Sequence, residues 1–491
     1  MRSYVWGALL VVLLGLVAVP PAEAARRAKP YDFDGNGHPD LVVGAPGLQV
    51  NGQPAGGVVV LPASATGMSQ DEKVITQSSR GVPGASEAGD EFGRSIASGD
   101  FNRDGYADLA IGAPGETSAK ALHVGAVTVV YGSAHGLGTK HARRLRISTR
   151  DVYEANFGTS LVAADFDRDG FADLAVGSPG AAPAVRDEFF QPSGTVSVFG
   201  GGRKGLSRAA HLVLRGDRDA SDGDMRFGER IAAGDLDLDG DVDLVVASDG
   251  FADSGDDSMP GSLSYCLNGR SGPRGCARLA YGVGWAGPSS VLVANVWGSE
   301  RPEIVLAKPV GFDDDEGHVT VLRLKGSKRF TVAEARSMNG FDVGLPGTGD
   351  WAARLGASVD AGDVDRDGYA DLVMGAPGAN DGRGRVLVAR GGADGPRSTG
   401  NEAYSQDSPG VPNAGESQDY FGSSVTLLDH DQDGRLDLTV GAPGENGSGA
   451  ITTLRGAGDG FTAAGSRTFD LRSLGYEHPE EAGFGGSLGH R

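Results

Sequence analysis

The chain has 491 residues, of which 81 are glycine, and a formal net charge of −21. The acidic excess argues against binding to nucleic acid or to anionic membranes, because both favour basic surfaces. The glycine share is far above the usual value of about 7%, so the chain is either disordered or turns very often. Since short Val/Ile/Leu segments recur throughout, we expect many turns between short strands.

Residues 1–24 have the pattern of a signal peptide. Arg2 precedes an apolar run from Val5 to Val19, and residues 22–24 form an Ala-Glu-Ala cleavage site. The alternative is a membrane anchor, but the run has only about 15 residues where a span needs roughly 20. We therefore predict cleavage after Ala24, a short basic linker at 25–31, and a secreted protein with no remaining membrane span.

An acidic segment recurs along the mature chain at intervals of 60 to 70 residues, and its clearest form is Asp165–Leu174. Copies start at Asp32, Asp100, Asp165, Asp235, Asp363 and Asp429, with a degenerate copy at Asn295. A Gly-Ala-Pro-like turn follows each copy, and then an alternating segment such as Gly194–Val198, which is typical of a half-buried strand. Seven units in register predict one repeat array over residues 32–491.

Each unit predicts four short strands. An inner strand starts at a Phe-Gly pair, and a second strand runs from the acidic segment to the Gly-Ala-Pro turn. The alternating segment is third, and a weaker fourth strand leads to the next unit. Units of this size with four antiparallel strands are typical of propeller blades, whereas solenoid repeats usually have about 20–47 residues. We predict an all-β fold, a seven-bladed β-propeller.

The two ends of the chain are expected to complete one blade. Most units have a Phe-Gly pair, or Leu355-Gly356 in its place, eight residues before the first Asp. The first unit has no such strand ahead of Asp32, whereas the chain ends shortly after Phe484-Gly485. We therefore predict that the C-terminal strand completes the first blade, because closing the ring removes exposed sheet edges.

The two cysteines, Cys266 and Cys276, enclose a short loop with no further Cys and no His nearby. In an oxidising compartment, a pair this close is expected to form a disulfide that staples a hairpin. The alternative is two free, buried thiols.

The acidic segments predict metal sites. Positions 1, 3, 5 and 9 carry Asp or Asn, and a Gly at position 6 permits a tight turn. With the main-chain carbonyl of position 7, these side chains form an all-oxygen shell that favours calcium over magnesium. The predicted ligands are Asp32, Asp34, Asn36, His38 and Asp40; Asp100, Asn102, Asp104, Tyr106 and Asp108; Asp165, Asp167, Asp169, Phe171 and Asp173; Asp235, Asp237, Asp239, Asp241 and Asp243; Asp363, Asp365, Asp367, Tyr369 and Asp371; and Asp429, Asp431, Asp433, Arg435 and Asp437. We expect about six calcium ions, acting as structural staples rather than as signals.

The loops differ in their expected affinity. The first has Asn36 at position 5 and the second has Asn102 at position 3, so both are expected to bind more weakly. The fifth has Trp297 at position 3 and Glu300 in place of Gly, and we expect it to bind no ion. The alternative for all six is a set of surface Asx turns without ions, but this would leave crowded carboxylates unneutralised.

Phe-Gly, Asp-x-Asp-x-Asp-Gly and Gly-Ala-Pro motifs, in this order and in repeated units, resemble the FG-GAP repeats of the integrin alpha-chain head. The resemblance covers essentially the whole mature chain. It implies a seven-bladed propeller with calcium loops on the lower face, ligand contacts on the upper face, and a role in cell adhesion. No segment resembles the integrin stalk, inserted domain or membrane span.

The leading hypothesis for function is a binding module for an extracellular protein or glycan. Its contacts are expected on the loops at 181–193, 251–260 and 341–354, which carry Phe189, Phe190, Met259 and Trp351. The alternative for these side chains is that they fold back over blade edges.

Two other functions stay open, since a fold does not settle a function. One is an extracellular hydrolase or lyase that uses the upper face, and the other is a calcium stabiliser for a partner chain. The nine His are scattered, and the hydrolase-like motif at Gly485–Gly489 places Ser487 at the repeat position of Ser95. We therefore predict no enzymatic activity.

Overall fold

The computed structural model describes residues 27–69, 71–118, 121–147, 154–181, 194–216, 226–249, 261–269, 272–273, 275–282, 287–308, 317–339, 354–476 and 481–489. The predicted signal peptide lies outside these residues. The described chain forms seven four-stranded antiparallel sheets and two small hairpins, and each sheet is one blade.

Every blade has the same four-strand order. From the innermost to the outermost, the strands are Ser487–Leu488, Leu41–Ala45, Gly57–Leu61 and Lys73–Ile75 in blade one; Ser95–Gly99, Asp108–Ala113, Ala126–Tyr131 and Gly138–Leu145 in blade two; Leu161–Ala164, Asp173–Ser178, Thr195–Phe199 and Leu212–Leu214 in blade three; Arg230–Gly234, Asp243–Ser248, Ser262–Cys266 and Ala277–Leu279 in blade four; Ser290–Ala294, Glu303–Lys308, His318–Lys325 and Thr331–Asn339 in blade five; Val359–Gly362, Asp371–Ala376, Arg385–Ala389 and Glu402–Tyr404 in blade six; and Ser424–Leu428, Asp437–Ala442, Ala450–Ala457 and Gly460–Asp470 in blade seven.

The other regular elements are short. The two hairpins pair Gln49–Val50 with Gln53–Pro54 and Ala63–Ser64 with Gly67–Met68. One helical turn covers Ala379–Gly382, and a 3₁₀ turn covers Glu445–Gly447. No helix in the described part of the chain is long and apolar enough to cross a membrane.

The blades form a closed ring. Each innermost strand contacts the innermost strands of the blades on both sides, including those of blades seven and one. Hydrophobic clusters fill the spaces between neighbouring blades, so the second and third strands are buried on both faces. This is why the second strands are nearly continuous runs of Val, Leu, Ile and Ala. The third strands do alternate, as in Thr195–Phe199, but their Thr and Ser are buried too, which corrects the expectation of a half-buried strand. The prediction of a seven-bladed propeller is confirmed.

The Phe-Gly pair lies before the inner strand rather than in it, which corrects the sequence-based boundary. The Phe residues are fully buried, and each bridges to a glycine at the start of the third strand of the preceding blade. The glycine after each Phe has a φ between 86° and 95°, as at Gly93 and Gly485. This left-handed conformation suits glycine and interrupts the strand, which begins a few residues later.

A serine in each of five blades links that blade to the next one. The hydroxyl donates to the carbonyl of the next blade's Phe-Gly glycine over 2.6 to 3.0 Å, and the donors are Ser95, Ser160, Ser358, Ser424 and Ser487. Ser487 therefore has the same structural role as its counterparts in the repeat.

Blade one is built from both ends of the chain, as predicted. Ser487 pairs with Gly44 and Leu488 pairs with Val43, which adds the C-terminal strand to the sheet of the first unit. In blade four, a disulfide joins Cys266 to Cys276 and connects the third strand to the segment before the fourth.

Candidate metal centre

The six acidic loops connect the first and second strands of their blades. Because every blade has the same strand order, all six loops lie on one face of the ring, which we call the acidic face. The glycine at position 6 has φ between 82° and 95° in every loop, as at Gly170. Position 4 is also left-handed, although in five loops it is not glycine but Arg103, Arg168, Leu238, Arg366 or Gln432. Such repeated strain is characteristic of a functional turn.

Positions 3 and 5 form consecutive Asx turns, and position 1 accepts the N–H of position 6 across the loop. In blade three, Asp165 Oδ2 accepts the Gly170 N–H (3.1 Å) and Asp167 Oδ1 accepts the Asp169 N–H (3.1 Å). Asp169 Oδ1 accepts the Phe171 N–H (2.9 Å), which places position 7 beside the acids. The same three bonds recur in the other five loops. Each of these side chains uses one oxygen in this way, which leaves a second carboxylate oxygen on the aspartates but none on Asn36 and Asn102.

Position 9 is a buried staple. Asp173 Oδ2 accepts the Phe166 N–H at position 2 (2.9 Å), and its Oδ1 accepts the Gly201 N–H just after the third strand (2.7 Å). Asp40, Asp108, Asp243, Asp371 and Asp437 make the equivalent pair of bonds. A carboxylate oxygen that accepts one N–H has a further lone pair, so this role is compatible with binding a metal ion.

Burial and neighbouring acids disfavour ionisation of position 9. Burial, together with the neighbouring carboxylates of Asp104 and Asp100, raises the pKa of Asp108 to about 8. The same causes raise the pKa of Asp40 and of Asp173 to about 7. They raise the pKa of Asp243 and of Asp437 to about 6. Burial also raises the pKa of Asp371, but the buried Arg390 guanidinium, 3.0 Å away, opposes this effect.

Position 1 provides the observation that fits a cation. The Oδ1 atoms of Asp32, Asp165, Asp235 and Asp429 are buried and have no hydrogen-bond partner. A buried carboxylate oxygen without a donor is costly unless a cation completes its surroundings. In loops two and six, a backbone N–H of position 5 occupies this oxygen instead.

Three carboxylates converge in each of the four complete loops, with ligand atoms within 4.8 Å of one another. The groups are Asp165, Asp167 and Asp173; Asp235, Asp237 and Asp239; Asp363, Asp365 and Asp367; and Asp429, Asp431 and Asp437. The loops with Asn36 and Asn102 do not bring three acids together in this way. These all-oxygen donor sets fit calcium.

The fifth loop folds in a different way. Glu303 at position 9 is buried, and its Oε2 accepts the N–H groups of Val296 (2.9 Å) and Trp297 (3.0 Å). Its Oε1 accepts the Ser299 hydroxyl of position 5 (2.8 Å). The longer Glu side chain thus holds the N–H of position 2, as the Asp staples do, and also accepts hydrogen bonds from positions 3 and 5 of the loop.

Arginines on the acidic face were not anticipated from the sequence. Arg27 of the predicted linker pairs with Asp165 (2.7 Å), and Arg168 donates to the Asp239 carbonyl of the next loop (2.9 Å). Arg397 contacts Asp367, and Arg455 contacts Asp431. The recurrence of Arg at position 4 was the available sequence signal for Arg168, whereas no position shared by all repeats points to Arg27, Arg397 or Arg455. On the opposite face, the predicted ligand loops lie outside the described residues, apart from Ala181 and Arg354.

The sheets and loops define a β-propeller with repeated acidic turns. The FG-GAP repeat family model matches residues 30–61, 92–130, 157–199, 355–388 and 421–454. These five segments are therefore FG-GAP repeats, and the propeller resembles that of the integrin alpha chains, as the sequence predicts.

Curated relatives fall into two groups. The chain is 36% identical to phosphatidylinositol-glycan-specific phospholipase D of Rattus norvegicus, over 33% of this chain and 19% of the relative. The human protein of that name is 34% identical, over 42% of this chain and 24% of the relative. Integrin alpha-PS5 of Drosophila melanogaster is 38% identical, over 30% of this chain and 14% of the relative. The chain thus spans a quarter or less of these relatives.

A solved structure of a mutant of AofleA from Arthrobotrys oligospora aligns over 84% of this chain and 93% of that chain, with a TM-score of 0.40 and 11% identity. This degree of similarity carries no argument about function.

Proposed function

We propose that this chain is a secreted, calcium-binding β-propeller that acts as an extracellular binding module for a protein or a glycan. The observation that carries the calcium part is the buried, unpartnered Oδ1 at position 1 of four loops, three of which also bring three carboxylates together. The similarity to integrin alpha chains supports the binding part.

Calcium would act as a structural ion in about six loops. Bound at the loop centre, it would supply the positive charge that the converging carboxylates lack. The side-chain bonds to backbone N–H groups already orient positions 1, 3 and 5, and the position-9 staple joins each loop to the third strand. An ion held by these groups would rigidify the turn between two buried strands, because it binds only the folded arrangement.

Ligand binding would use the face opposite the acidic face. The loops between the second and third strands emerge there, on a scaffold held by interblade cores and serine bonds. Binding residues are commonly placed on loops that a rigid scaffold positions. Calcium would then affect ligand affinity indirectly, through the stability of the ring.

A second candidate is an extracellular hydrolase, and the sequence similarity to phosphatidylinositol-glycan-specific phospholipase D favours it. The match spans 19% of that relative. Ser487, which lies in the hydrolase-like motif, has its hydroxyl committed to the Gly93 carbonyl at 2.7 Å. We therefore rank this candidate second.

The binding proposal is tested by screening the purified protein against extracellular matrix proteins and a glycan array, with calcium and with EDTA. We expect at least one saturable ligand whose binding weakens in EDTA. The double variant Asp165→Asn/Asp235→Asn should reduce the number of bound calcium ions by two, because each substitution removes a position-1 carboxylate. Release of a phosphatidylinositol-glycan-anchored reporter, with no ligand in either screen, would instead favour the hydrolase.

A further inference from the structure

An arginine lies on the ligand carboxylates of the acidic loop in blade seven. Arg455, in the third strand, pairs with Asp431 at position 3, and its Nη2 lies 3.9 Å from Asp433 Oδ2 at position 5. The guanidinium therefore bridges two of the carboxylates that are predicted to hold an ion. The Arg455 side chain is 54% exposed, whereas that of Asp431 is 5% exposed, so water screens this pair only in part.

The loop of blade four has no such arginine among the described residues. The carboxylates at its positions 1, 3 and 5 belong to Asp235, Asp237 and Asp239, whose ligand atoms lie within 4.8 Å of one another. Arg168 reaches this loop, but it donates to the Asp239 carbonyl (2.9 Å) and pairs with the side chain of Asp241 at position 7. Position 7 is predicted to offer its main-chain carbonyl to an ion, so Arg168 does not occupy the side-chain ligands.

One position in the repeat accounts for this difference. Asn268 in blade four and Gly456 in blade seven each donate their backbone N–H to the position-9 staple, over 2.7 and 2.9 Å. The residue before this donor is Leu267 in blade four and Arg455 in blade seven. In both loops the position-1 Oδ1 is buried without a hydrogen-bond partner. The two loops are therefore alike in the atom that favours an ion and differ in a side chain beside it.

Blade six has the same contact from another part of the chain. Arg397, which follows the third strand, pairs with Asp367 at position 5 and lies 3.9 Å from Asp365 Oδ2 at position 3. Arg397 and Arg455 come from different places in their blades and bridge the same two carboxylates. The contact is therefore not a by-product of the repeat.

We propose that these arginines set the calcium affinity of their loops, so that the loop of blade four binds an ion more tightly than the loops of blades six and seven. This inference rests on the proposed calcium binding and states how the loops differ. A guanidinium on two carboxylates takes up acceptor atoms that an ion needs, and it repels the ion by charge. Ion binding must therefore break or stretch the arginine contact, which lowers the affinity.

Equilibrium dialysis of the folded protein at stepped free calcium tests this order. Asp235→Asn and Asp429→Asn each remove a position-1 carboxylate, so the difference between each binding curve and that of the wild type gives the calcium midpoint of one loop. The midpoint of blade four should lie at lower free calcium than that of blade seven. Equal midpoints, or the reverse order, would overturn the proposed order.

The role of the arginine is tested by exchanging the two side chains. Arg455→Leu, compared with the same variant carrying Asp429→Asn, should move the midpoint of blade seven to about two- to fivefold lower free calcium, the range of one exposed ion pair. Leu267→Arg should move the midpoint of blade four to higher free calcium. Arg455→Lys keeps the charge and should lie between the wild type and Arg455→Leu.

A matched control removes an equal charge elsewhere in blade seven. Arg472 follows the end of the fourth strand, where Asp470 pairs with Ala450 on the side away from the acidic loops. Arg472→Leu should leave the midpoints of both loops in place, because its charge lies far from the ligand carboxylates. A shift as large as that of Arg455→Leu would assign the effect to net charge and overturn the role of the contact.

Two failures are distinguishable in these titrations. A midpoint that does not move in folded Arg455→Leu overturns the inference and leaves the proposed loop sites standing. If Asp429→Asn loses no ion, the proposed calcium site of blade seven fails, and the inference fails with it. Should Arg455→Leu fail to fold, Leu267→Arg decides in the same way, since an unchanged midpoint in blade four overturns the inference.

Discussion

The third and fifth loops make the same strand connection with different chemistry. In both, a buried carboxylate at position 9 holds the N–H of position 2, through Asp173 in one and Glu303 in the other. Asp173 is short and leaves a group of acids with the Asp165 Oδ1 unpartnered. Glu303 is one methylene longer and also reaches Ser299. Both loops therefore have the staple, whereas converging acids with an unpartnered oxygen occur in the third loop and not in the fifth.

Removal of residues 481–491 should have the greatest effect on stability. Blade five is continuous in sequence, but blade one depends on Ser487–Leu488 for its inner strand. Removal exposes the edge of Leu41–Ala45 and opens the ring, and it also removes the bond from Ser487 to Gly93. We expect a large fall in Tm with aggregation, and loss of calcium at the Asp32 loop. A truncated chain that melts like the full chain would contradict this account of closure.

Next in size is the loss of a staple. Asp173→Ala and Glu303→Ala each leave buried N–H groups without acceptors, at a cost of about 1–3 kcal/mol per group. In EDTA, both variants should lower the free energy of unfolding by similar amounts. In calcium, Asp173→Ala should lose more, because it also loses an ion ligand. Urea unfolding under both conditions measures this, and equal losses in calcium would mean that the third loop holds no ion.

The pH dependence of thermal stability should show whether the position-9 carboxylates of the acidic loops are coupled to ion binding. Burial raises the folded-state pKa of Asp40, Asp108 and Asp173 to about 7, 8 and 7, against about 3.9 when unfolded. Without calcium, the folded state holds the extra protons, so stability is lost as pH rises from about 4 to about 8. Bound calcium favours the ionised form. The difference in Tm between calcium and EDTA should therefore widen from pH 5 to pH 8.

The stabilisation of the folded state by each ion depends on the ratio of free calcium to Kd. A site that binds only the folded state adds about 2.7 kcal/mol when free calcium is 100-fold above Kd. Thermal melting across this pH range, in calcium and in EDTA, makes the measurement. A Tm difference that is constant with pH would mean that the position-9 carboxylates are not coupled to ion binding.

The blade count and the closure could be predicted from the sequence because both depend on local periodicity. The acidic turn and the Gly-Ala-Pro turn recur in phase, and Phe484 matches Phe421. The interblade contacts could not be predicted in the same way. The bond from Ser487 to Gly93, and the second bond of Asp173 to Gly201, depend on how distant strands are placed. The ion pair of Arg144 with Glu116 is of the same kind.

An attempt to convert loop five into an ion site should have the least effect. Asn295→Asp restores the acid at position 1, but Glu303 and Ser299 already bond to each other at the loop centre. We expect no added ion and a change in Tm of about 1 °C or less, since isolated exposed changes are usually within about 0.5 kcal/mol. The matched change Asp165→Asn in loop three should lose one ion. A gained ion in Asn295→Asp would show that position 1 alone decides binding.

The anomalous scattering of calcium in crystals of the mature chain tests the assignment of the ions most directly. We predict ion peaks at the loops that start at Asp32, Asp100, Asp165, Asp235, Asp363 and Asp429, and none between Asn295 and Glu303. Each peak should lie within about 2.3–2.6 Å of a carboxylate oxygen of the position-1 aspartate. Acidic loops without peaks at millimolar calcium, or a peak inside the fifth loop, would contradict the assignment of the ions to the acid-rich turns.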